Sequence, residues 1–225
     1  MKILNASRFA LSSSTPRGPI TVAVDRGMLT GLADLVADAT TQFEAYNYAT
    51  VLERVERWFW FFCDDYLELV KGRRYGAQGE APAASANSAL VAGLSVILRL
   101  FAPFLPFVTE EVWSWWRDGS IHRASWPTPD EVLREIGGSP DSAGVLALER
   151  AALVLSEVRR TKSEAKRPLT TPVVQATVRD SVEHLNSLRT SEADVRAAGF
   201  VEQLTLVEGD PFGVSVDLAP MEAKL

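Results

Sequence analysis

The spacing of apolar residues divides the chain into a helical first half and a mixed second half. Residues 2–11, KILNASRFAL, read as the end of a helix, stopped by the Ser/Thr/Pro/Gly stretch SSSTPRGP. A second helix, with Asp25 placed to cap it, runs to about Tyr46 and carries Met28, Leu29, Leu32, Leu35 and Val36 at helical intervals. After a break near Asn47, Val51, Leu52, Val55, Phe59, Phe62 and Leu69 supply the stripe of a third, which Gly72 or Gly76 can end. AQGEAPAASAN reads as a loop of small residues, and from about Ser85 a helical pattern resumes as far as Trp116. Pro103 and Pro106 interrupt it. Each removes a backbone hydrogen bond, which predicts a kink or short break, with PFVTEEVWSWW as a separate helix and Pro106 near its start. Four packed helices of this kind make an antiparallel bundle.

After GSIHRASWP the pattern changes. A short helix around Pro129–Ile136 and a longer one around Val145–Lys166 precede an alternating run, VVQATVRD. A helix over Val182–Ala198 and two further strand-like runs, VEQLTLVE and GVSVDLA, complete the series. The expected fold is therefore mainly α: an antiparallel helical bundle over residues 1–127, followed over 128–225 by a small α+β module entered through a long helix.

Composition narrows the class. The 225 residues can bury a sizeable core, and 47% apolar with 23% charged residues is ordinary for a globular chain. The one cysteine, Cys63, excludes an intramolecular disulfide framework and fits a reducing, cytosolic setting. No apolar stretch follows a basic start, so no secretory signal is expected. The segment Leu94–Val108 is interrupted by Arg99 and too short to cross a bilayer of about 30 Å as a helix, which argues against a membrane role. A net charge of −6 and a pI near 5.1 argue against non-specific wrapping in nucleic acid. A phosphate backbone responds to a local patch, however. Two regions are locally basic: Met1–Arg26, with Lys2, Arg8, Arg17 and Arg26 against Asp25 alone, and RRTKSEAKR at 159–167.

Catalytic candidates read mostly as structure. Glu110 and Glu111 are adjacent, so on a helix they point about 100° apart. In the first turn after Pro106 they would favourably meet the helix dipole, with Glu110 paired to an arginine inside the bundle. His122 and His184 lack the spacing of a zinc site, and HRASWP reads as a loop folded onto the bundle through Trp126. Cys63 reads as a small core residue. The lysines of KSEAK, Lys162 and Lys166, fit either a solvated face or a phosphate-contacting patch. RWFWFFCDDY invites a base-stacking role. Helical spacing instead turns Phe59, Phe62 and Tyr66 inward, with Trp58 and Asp65 toward the edge. No phosphate loop, nucleophile elbow or metal cluster is visible.

Four segments in order, KILNASRFAL, NYATVLERVERWFWFFCDDYLELVKGRRYG, LRLFAPFLPFVTEEVWSWW and GSIHRASWP, resemble the carboxy-terminal part of bacterial valyl-tRNA synthetases. The likeness runs from residue 2 to about 127 and continues more loosely through EVRRTKSEAKRPLTTPV. It implies the anticodon-binding helical bundle of a class I aminoacyl-tRNA synthetase, holding the anticodon stem and loop of valine tRNA. Valine activation with ATP and magnesium, and editing, would lie in upstream synthetase domains. The His-x-Gly-His and Lys-Met-Ser-Lys-Ser signatures are missing, so the chain should be inactive alone and need no cofactor itself. A cytoplasmic monomer is expected. Arg8 matches a family arginine that approaches the anticodon, and Asn5 lies one turn before it. Lys2, Arg26 and the Arg73–Arg74 pair are expected as phosphate contacts that position rather than specify, against solvated surface charge as the plain alternative. Gly27 stands where the family usually has a bulkier residue, which would alter one wall of the anticodon site. LAPMEAKL lacks the heptads of the coiled-coil arm that ends many bacterial members. A free-standing homologue serving protein interaction or regulation is the competing account. A small-molecule enzyme with its pocket at the bundle–module junction is a third.

Overall fold

The expected helices of the first half all form in the computed structural model, which describes residues 1–12 and 16–220. α1 spans Lys2–Leu11 and α2 Ala23–Glu44. α3 (Tyr48–Phe61) passes through a π-helical turn, Phe62–Tyr66, into α4 (Leu67–Arg74). α5 (Glu80–Phe101) and α6 (Pro106–Ser114) complete the bundle, separated by the break that Pro103 and Pro106 demand, with Pro106 at the start of α6. α5 begins five residues before the expected Ser85, launched from Gly79 at φ 92°, so much of the small-residue loop is helical. Its alanines and glycine let neighbouring helices close around it. By length and composition its 22 residues suffice to cross a membrane, but 78% of its most apolar window is buried inside the bundle. It is the central core helix.

The loop through Trp126 closes as expected: its indole N–H donates to Thr40 Oγ1 at 2.9 Å, and its ring lies 5.3 Å from that of Phe43. Phe59, Phe62 and Tyr66 are buried, as is Cys63, although the last three lie in the π turn rather than in regular α-helix. Three expectations fail locally. Asp25 does not cap α2; Val22 is the cap residue, and Ser85 Oγ of α5 accepts from the backbone N–H groups of Thr21 and Val22. Glu110 and Glu111 lie in the second turn of α6, too far along for the dipole argument. Glu110 has no arginine partner among the described residues: it accepts from Ser120 Oγ and Ile121 N, both at 2.9 Å, and so pins the 3₁₀ turn Ile121–Arg123.

The second half begins with α7 (Pro129–Arg134) and α8 (Ser142–Glu164). β1 (Val173–Asp180) is the middle strand of a three-stranded sheet in the order β2-β1-β3. β2 (Val201–Glu208) runs parallel to it and β3 (Gly213–Leu218) antiparallel. The parallel crossover is α9 (Val182–Arg189) and α10 (Glu192–Gly199), two helices where one was expected, divided at Thr190–Ser191. One hydrophobic cluster extends from Ala6 in α1 to Val195 in α10, crossing residue 127 without a gap, because α7 and α8 pack on α2. The last five residues of the chain, which bear on the coiled-coil arm, lie outside the described residues.

The α2–α8 contact is unusually close. A Cβ on Gly27 would lie 2.1 Å from the carbonyl oxygen of Gly144, and one on Gly144 would lie 2.5 Å from that of Ala23. Gly27 is therefore buried at a helix crossing and forms no wall of an anticodon site, which corrects the expectation. Gly27→Ala should force the helices apart and destabilise the chain by about 1–3 kcal/mol, read as a lowered urea midpoint. An unchanged midpoint would show that the crossing can relax freely.

Candidate nucleic-acid interface

α1 buries Ala6, Ser7 and Ala10 and leaves Lys2, Asn5 and Arg8 exposed. These three polar residues recur every third position, so they climb one side of the helix at about 4.5 Å per step. Lys2 Nζ donates to Asp64 Oδ1 at 2.6 Å and stands 4.8 Å from the centre of the Trp60 ring. The bond to Asp64 raises the lysine pKa against the opposing effect of partial burial. Arg8 has its guanidinium 5.7 Å from the Trp115 ring, and no carboxylate among the described residues forms an ion pair with it. Both partly exposed pairs contribute little to stability. Beside the stripe a groove of about 180 Å³ runs between α1 and the π turn, bounded by Asn5, Phe9, Asp64 and Glu68. One flank of the face is thus acidic, while at the other end Glu111 bonds the Trp115 indole and forms no ion pair with Arg8.

The other three expected phosphate contacts are elsewhere. Arg73 and Arg74 are 1% and 0% exposed and cannot reach a nucleic-acid backbone. Arg73 lies between two carboxylates. Its Nη1 and Nη2 each donate to Asp25 at 2.7 Å, and its Nε donates to Asp194 Oδ2 at 2.9 Å. Asp25 also accepts from Tyr66 Oη at 2.7 Å and Ser85 Oγ at 2.6 Å, and Asp194 accepts from Gln78 Nε2 at 2.7 Å. Burial opposes the guanidinium charge, but the bonds to Asp25 and the nearby Asp194 overcome it and raise the arginine pKa. Burial pushes the Asp194 carboxyl up despite Arg73, and burial with Asp25 holds the Tyr66 phenol well above its usual range, as an O–H donor.

Arg74 points the other way. It donates to the Phe9 carbonyl in the last turn of α1 and stacks 4.1 Å from the Phe9 ring, so it secures α1 from behind. Its Nε and Nη2 find no acceptor among the described residues, and burial lowers its pKa. Arg26 is half-buried: Nε donates to Asp141 Oδ2 at 2.6 Å and Nη1 to the Ile136 carbonyl at 2.8 Å. Asp141 caps α8, so Arg26 ties α2 to that cap. Three of six expected contacts are therefore committed to internal structure. Sequence carried no signal of this, since 48 residues separate Arg73 from Asp25 and 121 separate it from Asp194.

Lys162 of the KSEAK segment is likewise buried rather than solvated or phosphate-facing. It donates to the carbonyls of Leu169 and Gly199, both at 2.8 Å, and burial lowers its pKa. It lines a cleft of about 540 Å³ at the junction of α4, α8 and α10. Its two bonds close the chain around α8, which is structural work. Lys166 is exposed. His122 is exposed, with its ring 3.2 Å from the Pro106 carbonyl, and His184 faces Asp180 at 2.8 Å. Among the described residues no group of three or more His, Cys, Asp or Glu side chains could hold a metal ion.

The model for the anticodon-binding domain of tRNA ligase matches residues 25–178. The chain belongs to that family. It is also 45% identical, over 93% of its length, to a valine–tRNA ligase of Salinispora arenicola. The same enzyme of Cutibacterium acnes is 44% identical over the whole chain, and that of Thermobifida fusca 47% over 99% of it. The chain spans about a quarter of the length of these relatives. The domain thus carries the family's assigned region from α2 into β1, with α1 immediately before it.

Replacing Arg73 by Met should strand two buried carboxylates and destabilise the domain by about 3–5 kcal/mol in urea denaturation. A loss below about 1 kcal/mol would show that Asp25 and Asp194 rehydrate without it. A second expectation concerns acid. The bond from Arg99 holds the Glu131 carboxyl below its ordinary range, and Arg26 with the Gly144 N–H does so for Asp141 against the effect of burial. Depressed carboxylates stabilise fully above their unfolded values and lose that contribution as pH falls through their folded ones. The thermal midpoint should therefore decline as pH drops from about 5 toward 3. Arg99→Met should make that decline shallower.

Proposed function

We propose that the domain recognises the anticodon stem–loop of valine tRNA within a longer valine–tRNA ligase. The observation that carries this reading is the exposed Asn5–Arg8 end of α1, whose guanidinium forms no ion pair among the described residues, in a chain of the anticodon-binding family. Arginine offers a planar fork to base edges or phosphate, and an amide reads either a donor or an acceptor. Lys2 serves as a weaker contact, since Asp64 already holds its charge. Residues 1–127 act as the recognition bundle and residues 128–225 as its buttress. Attachment of valine, with ATP and magnesium, belongs to other parts of the ligase, which works in the cytoplasm as a monomer. The family assignment does not favour a free-standing regulatory module.

Binding should weaken steeply with salt, because each neutralised phosphate releases counterions. Arg8→Ala should weaken binding of the valine-tRNA anticodon stem–loop by about 1–3 kcal/mol in a filter-binding assay, and Lys2→Ala by less. Anticodon substitution should lower the affinity of the unmodified domain similarly. Equal affinity for both RNAs, with Arg8→Ala silent and folded, would remove α1 from the site.

A further inference from the structure

Two tryptophans outside the core share one arrangement. Trp60, near the end of α3, is 44% exposed, and Trp115, just after α6, is 38% exposed. Each indole N–H donates to a glutamate one turn earlier on its own helix: Trp60 to Glu56 at 3.4 Å and Trp115 to Glu111 at 3.0 Å. Each ring also stands beside a cation of α1, Lys2 and Arg8 respectively. Lys2 and Arg8 are six residues apart, about 9 Å along the helix, with Asn5 midway. The two indoles therefore bracket the polar stripe of α1, one at each end.

A single exposed aromatic residue needs no explanation. Here the same tether occurs twice, each time with a cation of α1 beside the ring, at the two ends of one candidate binding face. The tethers restrict both rings before any ligand arrives, which lowers the ordering cost of binding. The carboxylates of Glu56, Glu111 and Asp64 beside them disfavour a phosphate at the rings, whereas the flat faces can accept a neutral base. Unpaired bases of RNA loops are commonly held in this way, stacked on aromatic rings with cations nearby for the backbone.

We infer that Trp60 and Trp115 are stacking platforms for unpaired loop bases at either end of the α1 stripe. This rests on the anticodon reading above and assigns that site two contacts beyond α1. Lys2 and Arg8 then have a double role: at rest they lie beside the indoles, and in the complex they neutralise backbone or read an edge while the bases cover the rings.

The test uses the 225-residue chain, the valine-tRNA anticodon stem–loop as an RNA hairpin, and the same hairpin with abasic loop positions. Trp60→Ala and Trp115→Ala should each weaken the intact hairpin by about 5- to 150-fold, and the Phe variants by no more than about threefold. The abasic hairpin should bind wild type and the Ala variants equally, and the salt dependence should stay unchanged, since no phosphate contact is lost. Circular dichroism and the urea midpoint establish that each variant is folded. If the Ala variants bind the intact hairpin like wild type while Arg8→Ala does not, the stacking role falls and the anticodon reading stands. If the Ala variants lose the abasic hairpin equally, stacking is again overturned. If wild type discriminates neither hairpin nor anticodon, both readings fall.

Discussion

The buried guanidinium of Arg73 is the constraint on which the rest of the structure depends. It is held by Asp25 of α2 and Asp194 of α10, and through Asp25 it is joined to Tyr66 of the π turn and Ser85 of α5. Ser85 in turn serves the start of α2. Apolar residues of similar volume could fill this space at comparable stability, so the network's contribution is geometric. Every donor and acceptor must be met at once. That requirement selects one register for α2, α4, α5 and α10, and any slip leaves a charge without a partner in a low-dielectric interior.

That geometry reaches the surface through the neighbouring residue. Arg74 leaves the same helix in another direction, bonds the last turn of α1 and packs on Phe9. Adjacent arginines thus anchor two separate parts of the molecule, Arg73 the contact between α4 and α10 and Arg74 the last turn of α1. The chain is acidic overall, and many of its arginines are occupied by internal carboxylates or carbonyls. Of the five cations expected to contact nucleic acid, Lys2, Arg8, Arg26, Arg73 and Arg74, Arg8 is the one that is exposed and forms no ion pair among the described residues. A cation left uncompensated on a surface is available to a polyanion, whereas a neutralised one must first surrender its partner.

The small module gains its position by the same economy of contact. Gly27 and Gly144 let the backbones of α2 and α8 approach where a methyl group would collide. Arg26 and Thr30 on the same stretch of α2 bond the cap of α8 at Asp141. Lys162 at the other end of α8 gathers two carbonyls from the chain that follows. α8 is thereby fastened near both ends and carries the sheet as a fixed extension of the bundle.

Local periodicity placed most of the elements, though not the start of α5, the division of α9 from α10 or the π turn. The stripe through Phe59, Phe62 and Tyr66, the break at Pro103 and Pro106 and the alternation of VVQATVRD are properties of neighbouring residues, and the structure reproduces them. The four ordered segments likewise sufficed for the family. The fate of individual charges was not legible, because Arg8, Arg26, Arg73, Arg74 and Lys162 look alike in sequence. Whether each meets water, a carbonyl or a carboxylate depends on residues far along the chain brought within 3 Å by packing. Sequence determined which segments fold and to which family they belong. Only the tertiary structure decided which cations are interior struts and which face outward, since desolvation and pairing are properties of a place in the fold and not of a residue type.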